Sequence, residues 1–463
     1  MGERTRELLI LIIGDIFFFI LALWLTLFVR YLSLPSAELF GNHLGPFLTI
    51  SAVWLFIFYI AGLYDKQTVF FKSLMFSRIL NTQVVNAVVA FLLFFVIPFG
   101  IAPKTNLVIY MFISVALFTW WRMYLYNYIV PKNMHRAIIL ADGGEAVELV
   151  DEINNNDRYN YFFVRIIDKK TATNTAEFET KLLQLVEKER IDIIVANTSD
   201  DYIAKVLPKL FDLAFLRFEL TFLDFYKVYE DTFDRVPLSA LNYEWFITNV
   251  SQTKSLVYDT FKRIIDVVGS LVLGAILLLI LPIIYLAMRL EGKGDLFITQ
   301  ERVGQFNKKV LVYKIRTMTE NRSVSATWTN EDAKEGNVVT KVGAILRKLS
   351  IDELPQVLNI LRGEMSLIGP RNDIKGLGER LASEIPYYNI RNFVKPGVTG
   401  WAQTHQHYMG NNISPQSLEE TKMRLSFDLY YVKNRSLLLD IDVALRTLKT
   451  LLSRFGVTIR LRR

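Results

Sequence analysis

Four apolar runs open this 463-residue sequence, and they constrain its fold more than any other feature. Each approaches the roughly 20 residues that an α-helix needs to cross a bilayer. The runs are Leu8–Phe28, Phe47–Leu63, Ile79–Phe99 and Leu107–Tyr126. A cleaved signal peptide would be a single run, and the absence of cysteine excludes disulfide-stapled folds, zinc fingers and thiolate chemistry. The sequence therefore predicts a four-helix transmembrane domain over residues 1–130.

The lysine and arginine residues around these runs predict their orientation. They concentrate before the first run, between the second and third, and at the end of the fourth, whereas the other two connections carry only Arg30 and Lys104. The concentrated cations are Arg4, Arg6, Lys66, Lys72, Arg78, Arg122, Lys132 and Arg136. Connections rich in Lys and Arg stay on the cytoplasmic side. We therefore predict a multi-pass membrane protein whose N-terminus and soluble domains face the cytoplasm.

A fifth apolar block, Val267–Met288, differs from the first four because both of its flanks are basic. The flanking cations are Lys262, Arg263, Arg289 and Lys293. The block also contains Pro282, and a proline inside a helix removes a hydrogen bond and kinks the axis. These features favour a broken, re-entrant membrane helix. The alternative is an ordinary fifth span.

Residues 131–253 alternate strand-like and helix-like runs, which predicts a Rossmann-like α/β domain. The strand-like runs are Ala137–Ala141, Tyr161–Ile167, Ile191–Ala196 and Phe218–Phe222, and the helical ones include Glu145–Ile153 and Phe178–Lys188. Residues 137–253 carry a net charge of −9, and the first turn, Ala141-Asp142-Gly143-Gly144, lacks the G-x-G-x-x-G spacing of dinucleotide sites. A scaffold or dimerisation role is favoured over nucleotide binding.

Residues 254–463 carry a net charge of +11 and contain the densest motifs. In a membrane protein such a charge suggests anionic lipid or phosphate ligands, and no motif typical of nucleic-acid binding accompanies it. The motifs lie in Gly294–Gly304, Tyr313–Met318, Leu346–Gln356, Arg362–Arg371, Lys395–Gln403 and Asp428–Tyr431.

The adjacent carboxylates Asp352 and Glu353 are the strongest catalytic candidates. A structural interpretation is available, because Ser350-x-x-Glu353 matches a capping box at a helix start and Asp352 would complement the helix dipole. The cations Arg316, Arg347 and Arg371 favour chemistry instead, since arginines near a helix N-terminus are typical of a diphosphate site. A carboxylate there can bind Mg²⁺ or attack phosphorus.

Together the S-x-D-E-L-P-Q, G-P-R and K-P-G-x-T-G-W-A-Q runs resemble the bacterial sugar transferase family, the monotopic polyprenyl-phosphate phosphoglycosyl transferases. The resemblance covers about residues 259–455. The preceding spans and α/β domain resemble the long form of that family, found in enzymes that begin O-antigen, capsule or exopolysaccharide synthesis. It implies a mostly helical catalytic domain with a re-entrant helix over residues 254–463, in the bacterial inner membrane.

The resemblance also implies a reaction and its participants. A sugar 1-phosphate would pass from a UDP-sugar to undecaprenyl phosphate, with release of UMP and with Mg²⁺ bound at Asp352. Asp352 would be the nucleophile, and Glu353 would assist proton removal from the lipid phosphate. Lys314, Arg347 and Arg371 match phosphate-binding positions, and Lys262 and Arg263 match the basic pair before the membrane helix. A homodimer is also expected by resemblance.

The sequence departs from the family pattern at two places and leaves several alternatives open. Asn372 stands where proline commonly follows the G-P-R arginine, and Thr404–His407 replaces a common V-N-G-R run. The rival functions are a glycosyltransferase that releases UDP and a non-enzymatic membrane scaffold or regulator. Minor alternatives are a role for Asp15 within the membrane, stacking of a base or sugar on Trp401, and a metal pair at His405 and His407.

Overall fold

The computed structural model describes residues 3–61, 63–64, 72–97, 104–129, 134–156, 159–167, 182, 184–198, 200, 203, 208, 212, 220–250, 256–292, 294–319, 339–406, 415 and 417–454. The chain forms two compact units. The first comprises Met1–Ile139, Ala146–Ile194 and Leu213–Phe222, and the second comprises Leu140–Glu145, Val195–Asp212 and Leu223–Arg463. Every site residue that the sequence predicts lies in the second unit.

Long apolar helices form the beginning of the first unit. They are α1 (Glu3–Tyr31), α2 (Ala37–Ile60), α3 (Lys72–Val96) and α4 (Lys104–Trp120), followed by a π-helical turn (Trp121–Leu125) and α5 (Tyr126–Ile129). Aromatic rings fill their shared core: the ring of Phe19 lies 4.5 Å from that of Phe118 and 5.4 Å from that of Trp54. The aromatic-rich composition of this region is therefore used for packing between helices.

Four helices among the described residues are long and apolar enough to cross a membrane: Leu9–Tyr31, Ala37–Tyr59, Thr105–Leu125 and Leu256–Glu291. Three of the first four predicted runs and the fifth block thus form helices of the length and composition that crossing a membrane requires. The described apolar part of the remaining run, Ile79–Phe94, is shorter. Helix α2 begins well before its predicted run because the Ser36 hydroxyl caps it, accepting from Leu39 N at 3.2 Å.

Asp15 forms a buried ion pair with Arg122 inside the helical bundle, and both side chains are fully excluded from solvent. The carboxylate also accepts hydrogen bonds from Tyr64 Oη at 2.7 Å and Trp121 Nε1 at 3.2 Å. Arg122 donates in addition to the carbonyl of Leu63 at 2.7 Å. Asp15 therefore has the full set of partners that a structural ion pair needs, which accounts for a carboxylate in an apolar run.

A four-stranded sheet follows the bundle, with strand order β2-β1-β3-β4. The strands are β1 (His135–Leu140), β2 (Tyr161–Ile167), β3 (Ile193–Ala196) and β4 (Thr221–Asp224), and α6 (Gly144–Asn154) follows β1. Three of the predicted strands are confirmed, β2 at both ends, whereas β4 overlaps the fourth predicted run only at residues 221–222. Parts of the predicted runs Phe178–Lys188 and Phe218–Phe222 lie outside the described residues. Whether the domain is Rossmann-like in detail stays a prediction.

Two short helices connect this sheet to the C-terminal part of the chain: α7 (Phe225–Phe233) and α8 (Tyr243–Asn249). Both pack within the second unit. Trp401 Nε1 donates to Asp234 O at 2.8 Å, and Lys433 forms an ion pair with Glu230 at 2.8 Å. Residues 223–250 therefore support the C-terminal part of the molecule.

Helix α9 (Leu256–Glu291) contains the fifth apolar block and has 36 residues. At 1.5 Å per residue it is about 54 Å long, more than a bilayer core requires. The helix is continuous through Pro282, without the break that the sequence suggested. Re-entry stays a prediction.

The remaining elements form the mixed C-terminal part of the second unit. In chain order they are β5 (Phe297–Val303), β6 (Lys309–Ile315), α10 (Lys341–Lys348), α11 (Val357–Leu361), β7 (Ser366–Ile368), α12 (Lys375–Glu384), β8 (Gly397–Thr399), α13 (Trp401–His405), α14 (Leu418–Asn434) and α15 (Leu437–Arg454). Strands β5 and β6 form an antiparallel hairpin, and β7 pairs in parallel with β8. A Cβ added at Gly397 would lie 2.1 Å from Gly369 N, so the glycines of two motifs allow backbone to meet backbone.

Candidate active site

The candidate site lies between strand β6 and the 3₁₀ turn Ile351–Gln356 that carries both adjacent carboxylates. Asn359, buried just after this turn, joins the two elements. Its Nδ2 donates to Leu311 O at 2.7 Å, and its Oδ1 accepts from Tyr313 N at 3.3 Å. This side chain therefore fixes the register between the strand that carries Lys314 and the segment that carries Asp352.

The capping-box interpretation of Ser350 and Glu353 is wrong. Ser350 has φ +57°, in the left-handed region, and its side chain caps no helix N–H group. A capping residue adopts extended backbone instead. The α-helix begins only at Val357, after the 3₁₀ turn. Glu353 is therefore free to turn toward cations from other elements.

Glu353 is held by two cations. Its Oε1 accepts from Lys314 Nζ at 2.9 Å and from Arg371 Nη2 at 2.7 Å, while its Oε2 accepts from Arg371 Nη1 at 3.3 Å. Burial by itself raises the pKa of this carboxyl, but the charges of Arg371 and Lys314 and their hydrogen bonds lower it well below its usual range. Glu353 is therefore ionised and bidentately paired.

Asp352 has the opposite environment. No hydrogen bond or ion pair joins its carboxylate to another group in the part of the chain that the structure describes. Burial raises its pKa, and the Glu353 charge raises it further, against the opposing effects of Lys314, Arg371 and Arg347. The two neighbouring carboxylates thus have their pKa values shifted apart, as expected where two carboxyl groups take different roles.

Cations outnumber carboxylates at this site. Burial lowers the pKa of Lys314 despite the nearby Glu353 charge, and burial lowers the pKa of Arg302 to about 10. Arg302 donates to Gln300 Oε1 at 2.8 Å and to Asn372 O at 2.8 Å. Arg302 lies within the recognised motif Gly294–Gly304 but was not among the predicted site residues. A β-strand pattern does not show that the charge of this arginine acts near Glu353.

A buried ionic network lies behind Arg371. Arg391 pairs with Asp373 and, at 2.7 Å, with Asp428, and its Nη2 donates to the carbonyl of Arg371 at 2.5 Å. Arg424 Nη2 donates to Asp373 Oδ1 at 2.8 Å. We term Asp373, Arg391, Arg424 and Asp428 the support network. Sequence reasoning missed its role, and only Asp428 lay within a recognised motif.

The structure brings four predicted site residues together and places the others apart from them. Asp352, Glu353, Lys314 and Arg371 share one site, and the Arg347 charge acts on Asp352 while its Nε donates to Thr317 Oγ1 at 2.9 Å. Arg316 packs over Gly294, where an added Cβ would lie 2.2 Å from Arg316 Nη1. The remaining predicted residues, Lys262, Arg263 and Pro282, lie along α9.

The basic pair on α9 is engaged in contacts within the second unit. Lys262 Nζ donates to Asp440 Oδ2 at 2.9 Å, which joins α9 to α15. Arg263 donates to the carbonyls of Ile360 and Leu361 at 2.6 and 2.8 Å, which joins α9 to the end of α11. These contacts fix the membrane helix against the elements that follow the carboxylates.

Trp401 and His405 form part of the core. Trp401 is buried, its ring lies 3.8 Å from that of His405, and His405 Nδ1 lies 2.8 Å from Trp401 O. His405 also stacks on Phe427 at 5.6 Å. His407, the second member of the suggested metal pair, lies outside the described residues.

The Asp352 carboxylate fits a role as one ligand of Mg²⁺. Its oxygens lack protein partners in the described structure, and Mg²⁺ commonly takes one or two carboxylates and completes its shell with water and substrate phosphate. The described ranges contain no group of three or more His, Cys, Asp or Glu residues that could hold a metal. The described residues thus do not form a metal site composed of protein ligands alone.

Comparison with known proteins identifies the C-terminal part of the chain. Residues 257–454 match the model of the family described as bacterial sugar transferase. Among similar proteins, the UDP-N-acetylgalactosamine-undecaprenyl-phosphate N-acetylgalactosaminephosphotransferase of Aeromonas hydrophila is 35% identical over 203 residues, covering 44% of this chain and 46% of that protein. The chain therefore matches less than half the length of this relative.

Two further relatives extend the comparison. The UDP-glucose:undecaprenyl-phosphate glucose-1-phosphate transferase of Caulobacter vibrioides is 36% identical over 198 residues, covering 42% of this chain and 71% of that protein. The undecaprenyl-phosphate glucose phosphotransferase of Komagataeibacter xylinus is 28% identical over 367 residues, covering 76% of this chain and 66% of that protein. The match to the family model, together with a relative that is 36% identical and covered over 71% of its length, shows that this chain belongs to the bacterial sugar transferase family.

Proposed function

We propose that this protein is a membrane phosphoglycosyl transferase that moves a sugar 1-phosphate from a UDP-sugar to undecaprenyl phosphate and releases UMP. The observation that carries the proposal is a partly buried carboxylate, Asp352, which has no partner among the described residues and stands next to a paired carboxylate and several cations. The names of the relatives support the substrate classes. This transfer would be the first membrane step of exopolysaccharide, capsule or O-antigen synthesis.

In this proposal the cations bind the diphosphate of the donor. Lys314 and Arg371 pair with Glu353, the charges of Lys314, Arg371 and Arg347 act on Asp352, and the Glu353 charge acts on Arg302. Arginine binds phosphate oxygens in a bidentate manner, and fixed positive charge stabilises the charge that develops on transferred phosphoryl groups. The excess of positive charge compensates an incoming diphosphate, which a neutral site could not do.

Asp352 is the proposed nucleophile. Its carboxylate oxygen attacks the phosphorus that bears the sugar, the bond from that phosphorus to the bridging oxygen breaks, and UMP leaves with the bond electrons. An oxygen of undecaprenyl phosphate then attacks the same phosphorus and displaces Asp352. Covalent catalysis of this kind divides one transfer into two steps. Because no described residue bonds to the Asp352 oxygens, they are available for attack.

Glu353 is the proposed proton acceptor for the lipid phosphate, and its pairing sets a condition on this role. While Lys314 and Arg371 hold it, its low pKa makes it a poor base. Substrate phosphate that draws the same two cations away raises the pKa of Glu353. The base would therefore be activated only when the site is filled.

Mg²⁺ bound at Asp352 would neutralise phosphate charge and favour the ionised carboxylate over the protonated form that burial stabilises. Its residue partner would be Asp352, with water and phosphate oxygens as the other ligands.

The released nucleotide tests the proposed reaction directly. Purified protein in nanodiscs would be incubated with undecaprenyl phosphate, Mg²⁺ and a panel of UDP-sugars. We expect UMP from one or a few sugars. Release of UDP would instead indicate a glycosyltransferase, and intact substrates throughout the panel would favour a scaffold or regulator.

The nucleophile requires a separate experiment. Labelled UDP-sugar without acceptor should leave a phosphosugar adduct that peptide mapping places on Asp352. The adduct should be absent from Asp352→Asn and present in Glu419→Gln, which changes an exposed carboxylate on α14. An adduct on any other residue would contradict the assignment.

We also propose that the soluble parts face the cytoplasm of a bacterial inner membrane and that α9 is re-entrant. The chain has no native cysteine, so single-cysteine variants give an unambiguous labelling pattern. Leu256→Cys and Leu290→Cys lie near the two ends of α9, and both positions are exposed. We expect both to be labelled from the cytoplasmic side. Labelling from opposite sides would establish a span.

A further inference from the structure

The motif lysine Lys395, at the start of K-P-G-x-T-G, has no role in the proposed chemistry, yet it lies beside a second cation. A Cβ added at Gly363 would lie 3.7 Å from Lys395 Nζ and 3.8 Å from Arg263 Nη2. Gly363 has φ +80°, a conformation that favours glycine. Lys395 and Arg263 therefore face a common space that the absence of a side chain at position 363 leaves open.

The two cations differ in how firmly they are held. Arg263 is fixed by its hydrogen bonds to Ile360 O and Leu361 O. The Lys395 ammonium makes no hydrogen bond or ion pair to any group among the described residues, and its side chain is partly exposed. One end of the space is thus rigid and positively charged, and the other carries an available three-proton donor.

Neighbouring carboxylates do not neutralise this space. Asp266 Oδ1 accepts from Ser366 Oγ and Leu367 N, both at 2.9 Å. Lys262 pairs with Asp440, and Asp259 pairs with Arg435 at 3.4 Å. Burial and the Arg263 charge lower the pKa of Lys395, although Asp266 and Asp259 oppose this. An anion between the two cations would relieve their repulsion.

The surroundings of Arg263 indicate what kind of anion can reach it. Arg263 lies on α9, which is apolar enough to cross a membrane, and its neighbours on that helix expose apolar side chains. These are Phe261, Ile264, Ile265 and Val268, each about half exposed or more. A positive site bordered by an apolar surface suits an anion that is attached to a hydrocarbon chain.

We propose that Lys395 and Arg263, around Gly363, bind the phosphate group of a lipid. The phosphate has two sources, the polyprenyl phosphate acceptor and a bilayer phospholipid. The site involves residues other than Asp352, Glu353, Lys314 and Arg371. It depends on the proposed function only where polyprenyl phosphate is the occupant.

The test compares Lys395→Met with wild type in the full chain, reconstituted in phosphatidylcholine nanodiscs. Exchange of labelled UMP into UDP-sugar requires no lipid phosphate and should be unchanged, which also shows that the variant folds. The KM for undecaprenyl phosphate should rise about tenfold, because a charge-assisted hydrogen bond to phosphate is lost. Lys422→Met, which removes the same charge from a surface pair on α14, should leave this KM unchanged.

Added phosphatidylglycerol distinguishes the two sources. If phosphatidylglycerol competes with undecaprenyl phosphate in wild type and competes less in Lys395→Met, a phospholipid phosphate shares the site. A KM effect without competition indicates a site for polyprenyl phosphate. An unchanged KM in both Lys395→Met and Lys395→Gln, with normal UMP exchange, would overturn the proposal.

A second readout separates failure of this site from failure of the proposed function. Native mass spectrometry of the protein with undecaprenyl phosphate or phosphatidylglycerol measures retained lipid without any reaction. We expect the wild-type protein to retain more lipid than Lys395→Met does. Lys422→Met should retain as much lipid as wild type. Equal retention by all three would count against the site, whereas absent UMP exchange in wild type with preferential retention would count against the reaction alone.

Discussion

Two regions of this protein place an aspartate near arginine, and they differ in whether the aspartate is paired. In the helical bundle, Asp15 is saturated by Arg122, Tyr64 and Trp121. In the C-terminal unit, Asp352 has no such partner among the described residues, and its neighbour Glu353 takes the hydrogen bonds of Lys314 and Arg371. Asp15 is fully buried and Asp352 only partly, so exclusion from solvent alone does not mark the reactive carboxylate.

The difference follows from charge stoichiometry. One carboxylate and one guanidinium in the bundle neutralise each other, so this pair has no net charge that a ligand could neutralise. In the C-terminal unit the cations Lys314, Arg302, Arg347 and Arg371 accompany two carboxylates, and among the described residues only Glu353 is paired. A set of partly buried charges of one predominant sign costs free energy unless a ligand of opposite charge neutralises it. We infer from this that the imbalance serves binding and chemistry.

The largest effect is expected from Asp352→Asn. Loss of a nucleophile commonly lowers the turnover rate by about 10⁴-fold or more. UMP release should fall by this amount while the protein stays folded, because Asp352 contributes no hydrogen bond within the described structure. Parallel measurement of the melting temperature separates lost chemistry from lost folding. Activity near the wild-type level would remove Asp352 from the mechanism.

Asp15→Asn should have the converse result. Removing one member of a buried ion pair leaves the other charge uncompensated and costs about 3–5 kcal/mol of stability. Thermal or denaturant unfolding of the purified protein would measure this loss. The double variant Asp15→Leu with Arg122→Met should recover most of it, since no unpaired charge remains. A double variant as unstable as the single would contradict this account.

Arg391→Lys tests the support network with a smaller effect. Lysine keeps the charge but cannot reproduce the planar fork that reaches Asp373, Asp428 and the Arg371 carbonyl together. Arg371 would be held less firmly, and we expect the turnover rate to fall about tenfold with a smaller change in the KM for UDP-sugar. A variant that loses stability but keeps its turnover rate would show that the network supports only the fold.

The smallest effect concerns pH and stability. Because folding raises the pKa of Asp352, its protonated form contributes to stability. This contribution is complete below the pKa that Asp352 has in the unfolded chain, and it is lost as pH rises through its pKa in the folded protein. Each unit of difference corresponds to about 1.4 kcal/mol. Asp352→Asn should therefore gain stability relative to wild type as pH rises through this window. Wild-type activity should rise over the same window, because attack requires the ionised carboxylate.

Glu353 should show the opposite dependence. Because folding lowers the pKa of Glu353, its ionised form contributes to stability. This contribution is present above the pKa that Glu353 has in the unfolded chain, and it is lost as pH falls through its pKa in the folded protein. Glu353→Gln should thus be less stable than wild type near neutral pH, and the difference should shrink on acidification. Melting temperatures of both variants across pH would measure the two trends. Parallel trends in the two variants would contradict the opposite environments of the carboxylates.

Much of the fold was predictable because the signals are local. Long apolar runs specify helices through length and composition alone, and β2 was located at both ends from its apolar and aromatic content. The start of α2 was missed because Ser36 caps a helix whose first turns are not continuously apolar. The expected break at Pro282 is not present, and the 36-residue helix is continuous through this residue.

The candidate site was predictable only in part. The motifs indicated Asp352, Glu353, Lys314 and Arg371, and the structure brings these together from elements far apart in sequence. Arg302, Arg391 and Arg424 were missed because a local pattern does not show which groups from distant parts of the chain an arginine contacts. The capping-box prediction failed for the same reason, since two distant cations compete successfully for Glu353.

The sequence by itself determined the apolar helices, the basic C-terminal part and the adjacent carboxylates, because composition and motif order are properties of the chain. Only the tertiary structure decided which carboxylate is paired and which is available. Electrostatic energy depends on separation in space and on exclusion of water. Asp352 and Glu353 are neighbours in sequence, yet the positions of Lys314 and Arg371 give them opposite pKa shifts.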